Sequence, residues 1–226
     1  MKLVTDDRPR ETNQPSQTGT EDDGLGGLAA ERGISVGVLR AAGIRPHIGG
    51  RHDGWWQLPY PHRTGLHKYR YRNPDPESRP KYVDDPGADF HLYNPQLLGP
   101  GEDEIWFAEG EFDTLALIDQ GLKAIGIHGV SNVPDPEDEE APSRFRRTWQ
   151  LLFQDTVVVT MFDNDDAGRQ AGRRLARGLD GEAFDDWDNT YGDVNEWHLA
   201  DPEGLAERIG RYRDRLHSRR GVESWG

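Results

Sequence analysis

The sequence predicts an α/β protein in which a parallel, doubly wound sheet follows a smaller α+β subdomain. From residue 104 onward, short β-branched and aromatic runs alternate with longer amphipathic segments, which is the pattern of strands connected by helices. Before that point, two strand-like runs are separated by the four residues HRTG, as in a β-hairpin. A shift in charge from basic to acidic accompanies this change of pattern.

The composition limits the class of protein. The chain has 226 residues, enough for one large or two small domains. No apolar run approaches the roughly 20 residues that span a bilayer, and the start of the chain lacks the apolar core of a signal peptide. Cysteine is absent, which excludes disulfides and cysteine-ligated zinc. We expect a soluble, cytoplasmic protein without a membrane partner.

The chain divides into four predicted parts. Residues 1–24 are polar with little to bury, and we expect a disordered arm. Residues 25–100 form the basic N-terminal subdomain, residues 101–200 the α/β domain, and residues 201–226 a C-terminal helix. Its apolar positions recur at helical spacing, at Leu205, Ile209, Tyr212 and Leu216.

The N-terminal subdomain begins with a predicted helical hairpin, in which Ser35 caps a short helix and Gly43 ends it. The segments GWWQLPYP and GLHKYRYR then read as two strands. Because strand side chains alternate between faces, the second strand should place three cations on one face and three rings on the other. The cations are Lys68, Arg70 and Arg72, and the rings are His67, Tyr69 and Tyr71.

The α/β domain has three clear strands and one weak one. The predicted strands are EIWFAEG, KAIGIHG, TVVVTMF and, less clearly, EAFDDW. The predicted helices are EFDTLALIDQG, SRFRRTWQLLF, DAGRQAGRRLARGL and the stretch that starts with DVNEWHL. In a parallel sheet of this kind, the functional crevice lies at the carboxyl ends of the strands.

Charge is unevenly distributed along the chain, whose formal net charge is −14. Residues 101–200 carry 23 acidic and 8 basic side chains, whereas residues 51–81 carry 7 basic and 3 acidic ones. A basic surface can hold nucleic-acid phosphates while an acidic centre holds divalent cations. The alternative is a solvated acidic surface of the kind found in halotolerant proteins.

Three aspartates lie within four positions directly after the third strand. Asp163 and Asp165 come where the strand ends, and Glu109 occupies the equivalent end of the first strand. If the two strands are neighbours, the three carboxylates converge, and converging carboxylates repel unless a cation lies between them. Oxygen ligands without thiols favour Mg²⁺ or Mn²⁺ and suit phosphoryl or nucleotidyl chemistry. The alternative is simple helix capping, a role that we expect of Asp166.

Three segments carry a resemblance to the Toprim domain, which DnaG-type primases, topoisomerases, gyrase subunits and some nucleases share. They are AEGEFDTLAL, GIHGVSN and MFDNDDAGRQAGRRLA, and the resemblance covers about residues 104–200. It implies a Rossmann-like Toprim sheet whose motif glutamate is Glu109 and whose paired aspartates are Asp163 and Asp165, followed by the motif glycine, Gly168. Primase-type members add an aspartate matched by Asp113 and a later acidic motif that offers Asp193.

The segment before this domain resembles the corresponding part of DnaG primases and of phage primase–helicases. That resemblance implies a basic surface for template and initiating nucleotides, with Lys68, Arg70, Arg72 and Lys81 as its candidates. The alternative is a solvated cationic strand. The sequence departs from replicative primases because it has neither a cysteine-based zinc module nor a Walker loop. It resembles a stripped primase core of phage or mobile-element type.

The resemblance implies metal-dependent synthesis of RNA primers on single-stranded DNA from nucleoside triphosphates, with a replicative helicase as a possible partner. Glu109, Asp163 and Asp165 would anchor Mg²⁺ or Mn²⁺, Asp193 would complete the metal site, and Asp113 would join the catalytic set. Two alternatives stay open. The same carboxylates could activate water in a nuclease, or the chain could be a non-catalytic nucleic-acid-binding accessory protein in replication.

Overall fold

The computed structural model describes residues 24–61, 67–87, 92–94, 103–133, 153 and 156–220. The predicted arm lies outside these residues except for Gly24, and the predicted helix SRFRRTWQLLF lies outside them except for Phe153. The described chain forms two sheets, one of four strands and one of five. The predicted α/β class is confirmed.

The chain enters the fold through two short helices, α1 (Leu25–Arg32) and α2 (Val36–Ala41). The Ser35 hydroxyl accepts a hydrogen bond from the Val38 amide at 3.3 Å, so the predicted cap is confirmed. Gly43 has φ of 72°, a left-handed conformation in which glycine carries no steric cost. It ends the helical hairpin as predicted.

The smaller sheet is antiparallel and contains β1 (Arg45–Pro46), β2 (Trp56–Pro61), β3 (His67–Arg72) and β4 (Tyr82–Asp84) in that order. A single 3-10 turn, Gly50–His52, precedes β2. Strands β2 and β3 pair along their whole length, which confirms the predicted hairpin.

The larger sheet contains β5 (Leu92–Tyr93), β6 (Glu104–Glu109), β7 (Ala124–Ile127), β8 (Val157–Met161) and β9 (Glu182–Ala183). Their order is β5-β7-β6-β8-β9, and every pairing except β5 with β7 is parallel. The first and third predicted strands, β6 and β8, are neighbours, which is the arrangement that convergence of their carboxylates requires. The weak fourth strand exists as the two-residue edge strand β9.

The described part of the larger domain contains four helices: α3 (Glu111–Asp119), α4 (Asp166–Gly178), α5 (Val194–Ala200) and α6 (Pro202–Arg220). A 3-10 turn, Val130–Asn132, follows β7. The predicted apolar face of α6 is buried, and no helix in the described ranges is long and apolar enough to cross a bilayer.

The sheet is covered on both faces because alternate residues of its strands face opposite sides. Trp106 of β6 belongs to the larger core cluster, together with α3, α5 and α6, whereas Phe107 belongs to a smaller cluster with α4. The larger cluster also takes in Leu28 of α1 and Leu39 of α2. The N-terminal segment and the larger domain therefore share one core, which fixes the antiparallel sheet beside the carboxyl ends of the parallel strands.

Candidate active site

Parallel pairing brings five predicted carboxylates to one edge of the larger sheet. Glu109 is the last residue of β6, and Asp163 follows the end of the neighbouring strand β8 by two residues. Asp165 and Asp193 are the residues immediately before α4 and α5, and Asp113 lies in the first turn of α3. Three helices thus begin where two strands end, and each start supplies one carboxylate.

Four of the five carboxylates accept a hydrogen bond from a backbone amide. Asp165 accepts one from Gly168 at 2.7 Å, and Asp193 one from Glu196 at 2.6 Å. The Asn195 amide donates to Asp113 at 2.9 Å, and the Val130 amide donates to Glu109. Each bond orients a carboxylate at the site with one oxygen engaged.

The predicted helix cap is displaced by one residue. Asp165, with extended backbone at φ −111°, caps α4, whereas Asp166 is already helical and its side chain is fully exposed. Asp166 instead forms an ion pair with Arg169 at 3.0 Å. The prediction that Asp166 caps this helix is wrong, because the helix begins one residue earlier than a cap at Asp166 would require.

Asp163 differs from the other four because its carboxylate forms no hydrogen bond with any residue in the described part of the chain. Burial raises its pKa to about 7, with further contributions from the negative charges of Glu109, Asp193 and Asp165. Burial also raises the pKa of Asp113, together with the charges of Asp193 and Asp163. The cluster is therefore a site of mutual repulsion centred on Asp163.

This donor set fits a hard divalent cation. The pKa of Glu109 is raised by burial and by Asp165, so all three residues predicted to anchor the metal interact electrostatically. Among the described residues, no three acidic or imidazole side chains are close enough to enclose a single ion. Asp165, Asp193 and Asp113 each have one oxygen engaged by a backbone amide, so the carboxylates are oriented individually rather than gathered around one point.

Gly168 allows α4 to begin this close to Asp163. A Cβ atom at position 168 would lie 2.9 Å from the Asp163 nitrogen and 3.0 Å from its carbonyl carbon, with the carbonyl oxygen closer still. Real Cβ atoms do not approach backbone so closely. The sequence identified Gly168 through the Toprim motif, and the structure supplies the steric reason for it.

We expect Gly168→Ala to destabilise the protein by about 1–3 kcal/mol, the usual cost of overpacking. Gly210→Ala is the matched control, since an added Cβ on that exposed position of α6 meets nothing within 4 Å. It should stabilise the protein by about 0.5–1 kcal/mol because alanine favours helix. Urea unfolding of both variants measures this, and equal effects would show that the contact with Asp163 is not tight.

The four predicted phosphate-binding residues have different surroundings. Lys81 is exposed, and Lys68 is partly exposed with its ammonium 3.1 Å from the Pro86 carbonyl. Arg72 is only 1% exposed and donates to Glu31 at 2.8 Å. Arg70 lies over the Tyr82 ring and donates to Glu111 at 2.8 Å. Lys68, Arg70 and Arg72 therefore do not form a row of cations that is open to solvent.

Strand alternation does place Arg70 and Arg72 on a common face, but α1 and α3 cover that face at these two positions. Glu31 belongs to α1 and Glu111 to α3, and each supplies the carboxylate that pairs with a buried guanidinium. Guanidinium groups that are paired inside the protein in this way are not available to bind phosphate. We therefore restrict the phosphate-binding proposal to Lys68 and Lys81.

The sequence did not reveal a second buried cluster, which is centred on Glu111. Its carboxylate accepts hydrogen bonds from Arg70 and from the Tyr60 hydroxyl, and His128 lies 3.8 Å away. Burial alone would raise the pKa of Glu111, but His128, Arg70 and Tyr60 outweigh it and lower the pKa to about 2. The sequence does show a glutamate between Glu109 and Asp113. Its role could not be predicted because the residues that it contacts lie far away in the sequence.

Residues 106–198 match a family model described as Toprim-like. This segment is a Toprim-like domain. The match begins within β6 and ends within α5, so it contains all five carboxylates. The resemblance stated from the sequence is confirmed. No curated protein sequence gives a significant match to the chain.

Solved structures similar to this chain include primase cores. The primase fragment of the bacteriophage T7 primase-helicase protein is 22% identical with a TM-score of 0.57, and the match covers 80% of this chain and 71% of that one. The DnaG catalytic core is 19% identical with a TM-score of 0.57, covering 88% and 74%. Both matches extend beyond the Toprim-like domain, so the fold shared with primase cores includes residues outside it.

A third similar structure contains bound molecules. It shows the T7 lagging-strand DNA polymerase interacting with primase domains bound to an RNA/DNA hybrid and dTTP. The matching chain is 23% identical with a TM-score of 0.56, and the match covers 80% of this chain and 87% of that one. At this identity the likeness concerns the fold.

Proposed function

We propose that this chain is a primase-type nucleotidyltransferase that joins ribonucleotides on a single-stranded DNA template. The observation that carries the proposal is the convergence of four carboxylates, Glu109, Asp113, Asp165 and Asp193, on a fifth, Asp163, at the carboxyl ends of β6 and β8. The similarity to primase cores supports it further, because that similarity covers at least 80% of the chain rather than the Toprim-like domain alone.

Glu109, Asp163 and Asp165 would hold Mg²⁺ or Mn²⁺, with Asp193 completing the site. A bound divalent cation would supply charge neutralisation for the attacking and leaving oxygens of nucleotidyl transfer. The role of the chain is to hold these carboxylates in place. The backbone amides of Gly168 and Glu196 do so by donating hydrogen bonds to Asp165 and Asp193. Asp113, oriented by the Asn195 amide, extends the negative field next to Asp163.

Template and triphosphate phosphates would be bound by Lys68 and Lys81 on the antiparallel sheet. We expect each Lys→Ala change to weaken binding to single strands and to lower the slope of log K against log salt by about 0.7 per lost phosphate contact. Arg219→Ala, which removes an exposed cation from the far end of α6, is the control. Fluorescence anisotropy across a salt series measures the slope, and an unchanged slope would assign both lysines to a solvated surface.

A single assay separates primase, nuclease and accessory functions. The protein is incubated with labelled single-stranded DNA, ribonucleoside triphosphates and Mg²⁺ or Mn²⁺. New oligoribonucleotides are the expected result, whereas shortened template would identify a nuclease. Binding without either product would leave an accessory role.

A replicative helicase is the proposed partner, since tethering a template beside the site raises its effective concentration. Addition of a helicase should increase the yield of primers without changing their chemistry. An equal yield with and without helicase, at limiting template, would remove this partner from the proposal.

A further inference from the structure

A cleft of about 630 Å³ lies between α4 and the edge strand β9, outside the carboxylate cluster. One wall is α4, the other is the segment that contains β9 and Trp187, and Asn164 lies at one end. Asn164 lies between Asp163 and Asp165 in the chain, so the cleft begins beside the carboxylates and leads away from them. The proposed reaction assigns no role to this cleft.

Three arginines follow the cleft along α4. Arg169, Arg173 and Arg177 are four residues apart and therefore lie on one face of the helix, separated by about 6 Å along its axis. That separation is comparable to the distance between successive phosphates along an extended nucleic-acid strand. The arginines thus form a regular row of cations rather than a single anion site.

Two of these arginines form no ion pair with any residue in the described part of the chain. Arg173 and Arg177 are exposed, and neither forms a hydrogen bond or ion pair with any residue that the structure describes. Arg169, by contrast, donates to the backbone and side-chain oxygens of Asn164 at 2.8 and 2.7 Å. In a chain with a net charge of −14, uncompensated cations that line a cleft are best explained by an anionic ligand.

The opposite wall carries an aromatic surface and two carboxylates. Trp187 is partly exposed, and its ring packs against Phe184 at 5.9 Å and Trp197 at 5.8 Å. A held indole ring can stack on a nucleic-acid base of any sequence. Asp185 lies 3.8 Å from Arg215, so part of its charge is compensated, and Glu182 can accept hydrogen bonds from base amino or ribose hydroxyl groups.

We infer that this cleft binds a single-stranded polynucleotide, with phosphates on Arg173 and Arg177 and a base on Trp187. The inference rests on the proposed function, since the strand in the cleft would continue from the nucleotide at the carboxylate cluster. It adds a second nucleic-acid surface on the side of α4, distinct from Lys68 and Lys81. A row of cations beside a stacking ring is the usual composition of a sequence-tolerant single-strand surface.

The test compares binding of fluorescein-labelled 4-mer and 12-mer oligonucleotides, both RNA and DNA, in EDTA. The Arg173→Ala/Arg177→Ala variant should bind the 12-mer at least about tenfold more weakly, since hydrogen bonds to charged groups contribute more than neutral ones. Its salt slope should fall by about 1.4 for two lost contacts. Trp187→Leu should weaken binding and leave the salt slope unchanged. Arg211→Ala, an exposed arginine on α6, is the control and should bind as the wild type does.

The outcomes separate this inference from the proposed function. Asp165→Asn should still bind oligonucleotides in the cleft in EDTA. If this variant loses primer synthesis but keeps binding, the carboxylates are needed for the reaction and not for binding in the cleft. If wild type makes no primers but the arginine variant still loses binding, only the proposed function fails. Unchanged binding by the arginine variant, with an unchanged melting temperature, would overturn the cleft assignment. So would equal displacement by a free nucleoside triphosphate or by polyglutamate, which would indicate a nucleotide site or a protein-binding surface.

Discussion

Asp163→Asn should reduce primer synthesis by more than about hundredfold while leaving the protein folded. Removal of groups that only orient a metal ligand already costs about 10–100-fold, and Asp163 is proposed as a ligand itself. Asp166→Asn is the matched control, because this neighbouring carboxylate is fully exposed and pairs with Arg169 on the surface. Comparable losses in the two variants would show that general negative charge, rather than the Asp163 site, supports the reaction.

The same substitution should stabilise the protein at neutral pH in the absence of metal. The pKa of Asp163 is raised from its ordinary value of 3.8 to about 7, so the folded protein holds this proton more tightly than the unfolded chain does. Stability is then lost as the pH rises from about 4 through 7, where the folded protein carries an unfavourable charge. Asparagine has no such charge, and we expect a gain on the order of 2 kcal/mol over wild type at pH 8, after allowance for solvent screening.

Melting in a series of buffers from pH 4 to 8, with EDTA or with Mn²⁺, measures both effects. In EDTA, the melting temperature of Asp163→Asn should rise relative to that of wild type as the pH increases. Added Mn²⁺ should raise the melting temperature of wild type, because a ligand that binds only the folded state stabilises it, and should affect the variant much less. Identical metal responses in the two proteins would remove Asp163 from the metal site.

The convergence of Glu109 and Asp163 was predictable because it depends only on strand order and on the common polarity of parallel strands. The sequence showed that a carboxylate follows or ends each strand, and the parallel pairing of β6 with β8 brings the two strand ends side by side. The cap at Asp165 was missed by one residue because the sequence contains adjacent aspartates, and only the backbone conformation decides which of them caps the helix.

The surroundings of the basic strand could not be predicted in the same way. The alternation of side chains along the strand predicted that Arg70 and Arg72 lie on the same face. It could not predict which elements cover that face. The partners of both arginines are 41 residues away in the sequence, in α3 and α1. The α4 cleft was missed for a similar reason, since it requires β9 to lie beside β8, and a two-residue strand has almost no sequence signal.

Arg70→Met should destabilise the protein by about 3–5 kcal/mol, the usual cost of removing one partner from a buried ion pair. The substitution leaves Glu111, which is 3% exposed, without its 2.8 Å partner in the contact between β3 and α3. Arg208→Met is the matched control because it breaks an equally short pair with Asp186 that is partly open to solvent. That change should cost less than about 1 kcal/mol.

The pH dependence identifies Glu111 as the source of the loss. In wild type its pKa is lowered to about 2, so its contribution to stability is present above about pH 4.5 and is lost as the pH falls towards 2. Without Arg70, only His128 and Tyr60 oppose the effect of burial, so the pKa of Glu111 should rise. The loss of stability of Arg70→Met relative to wild type should then be largest at neutral pH. It should become smaller as the pH falls towards 4, where Glu111 takes up a proton.

The double variant Arg70→Met/Glu111→Gln tests whether the two groups act as a pair. It should recover a large part of the loss seen in Arg70→Met, because no uncompensated charge stays buried. Urea unfolding of the four proteins gives the coupling energy directly. A coupling energy near zero, or a cost for Arg70→Met no larger than that for Arg208→Met, would mean that apolar packing alone joins the antiparallel sheet to the Toprim-like domain. With strong coupling, the buried pair holds the sheet that carries Lys68 in a fixed position relative to Glu109, two residues before Glu111 in the chain.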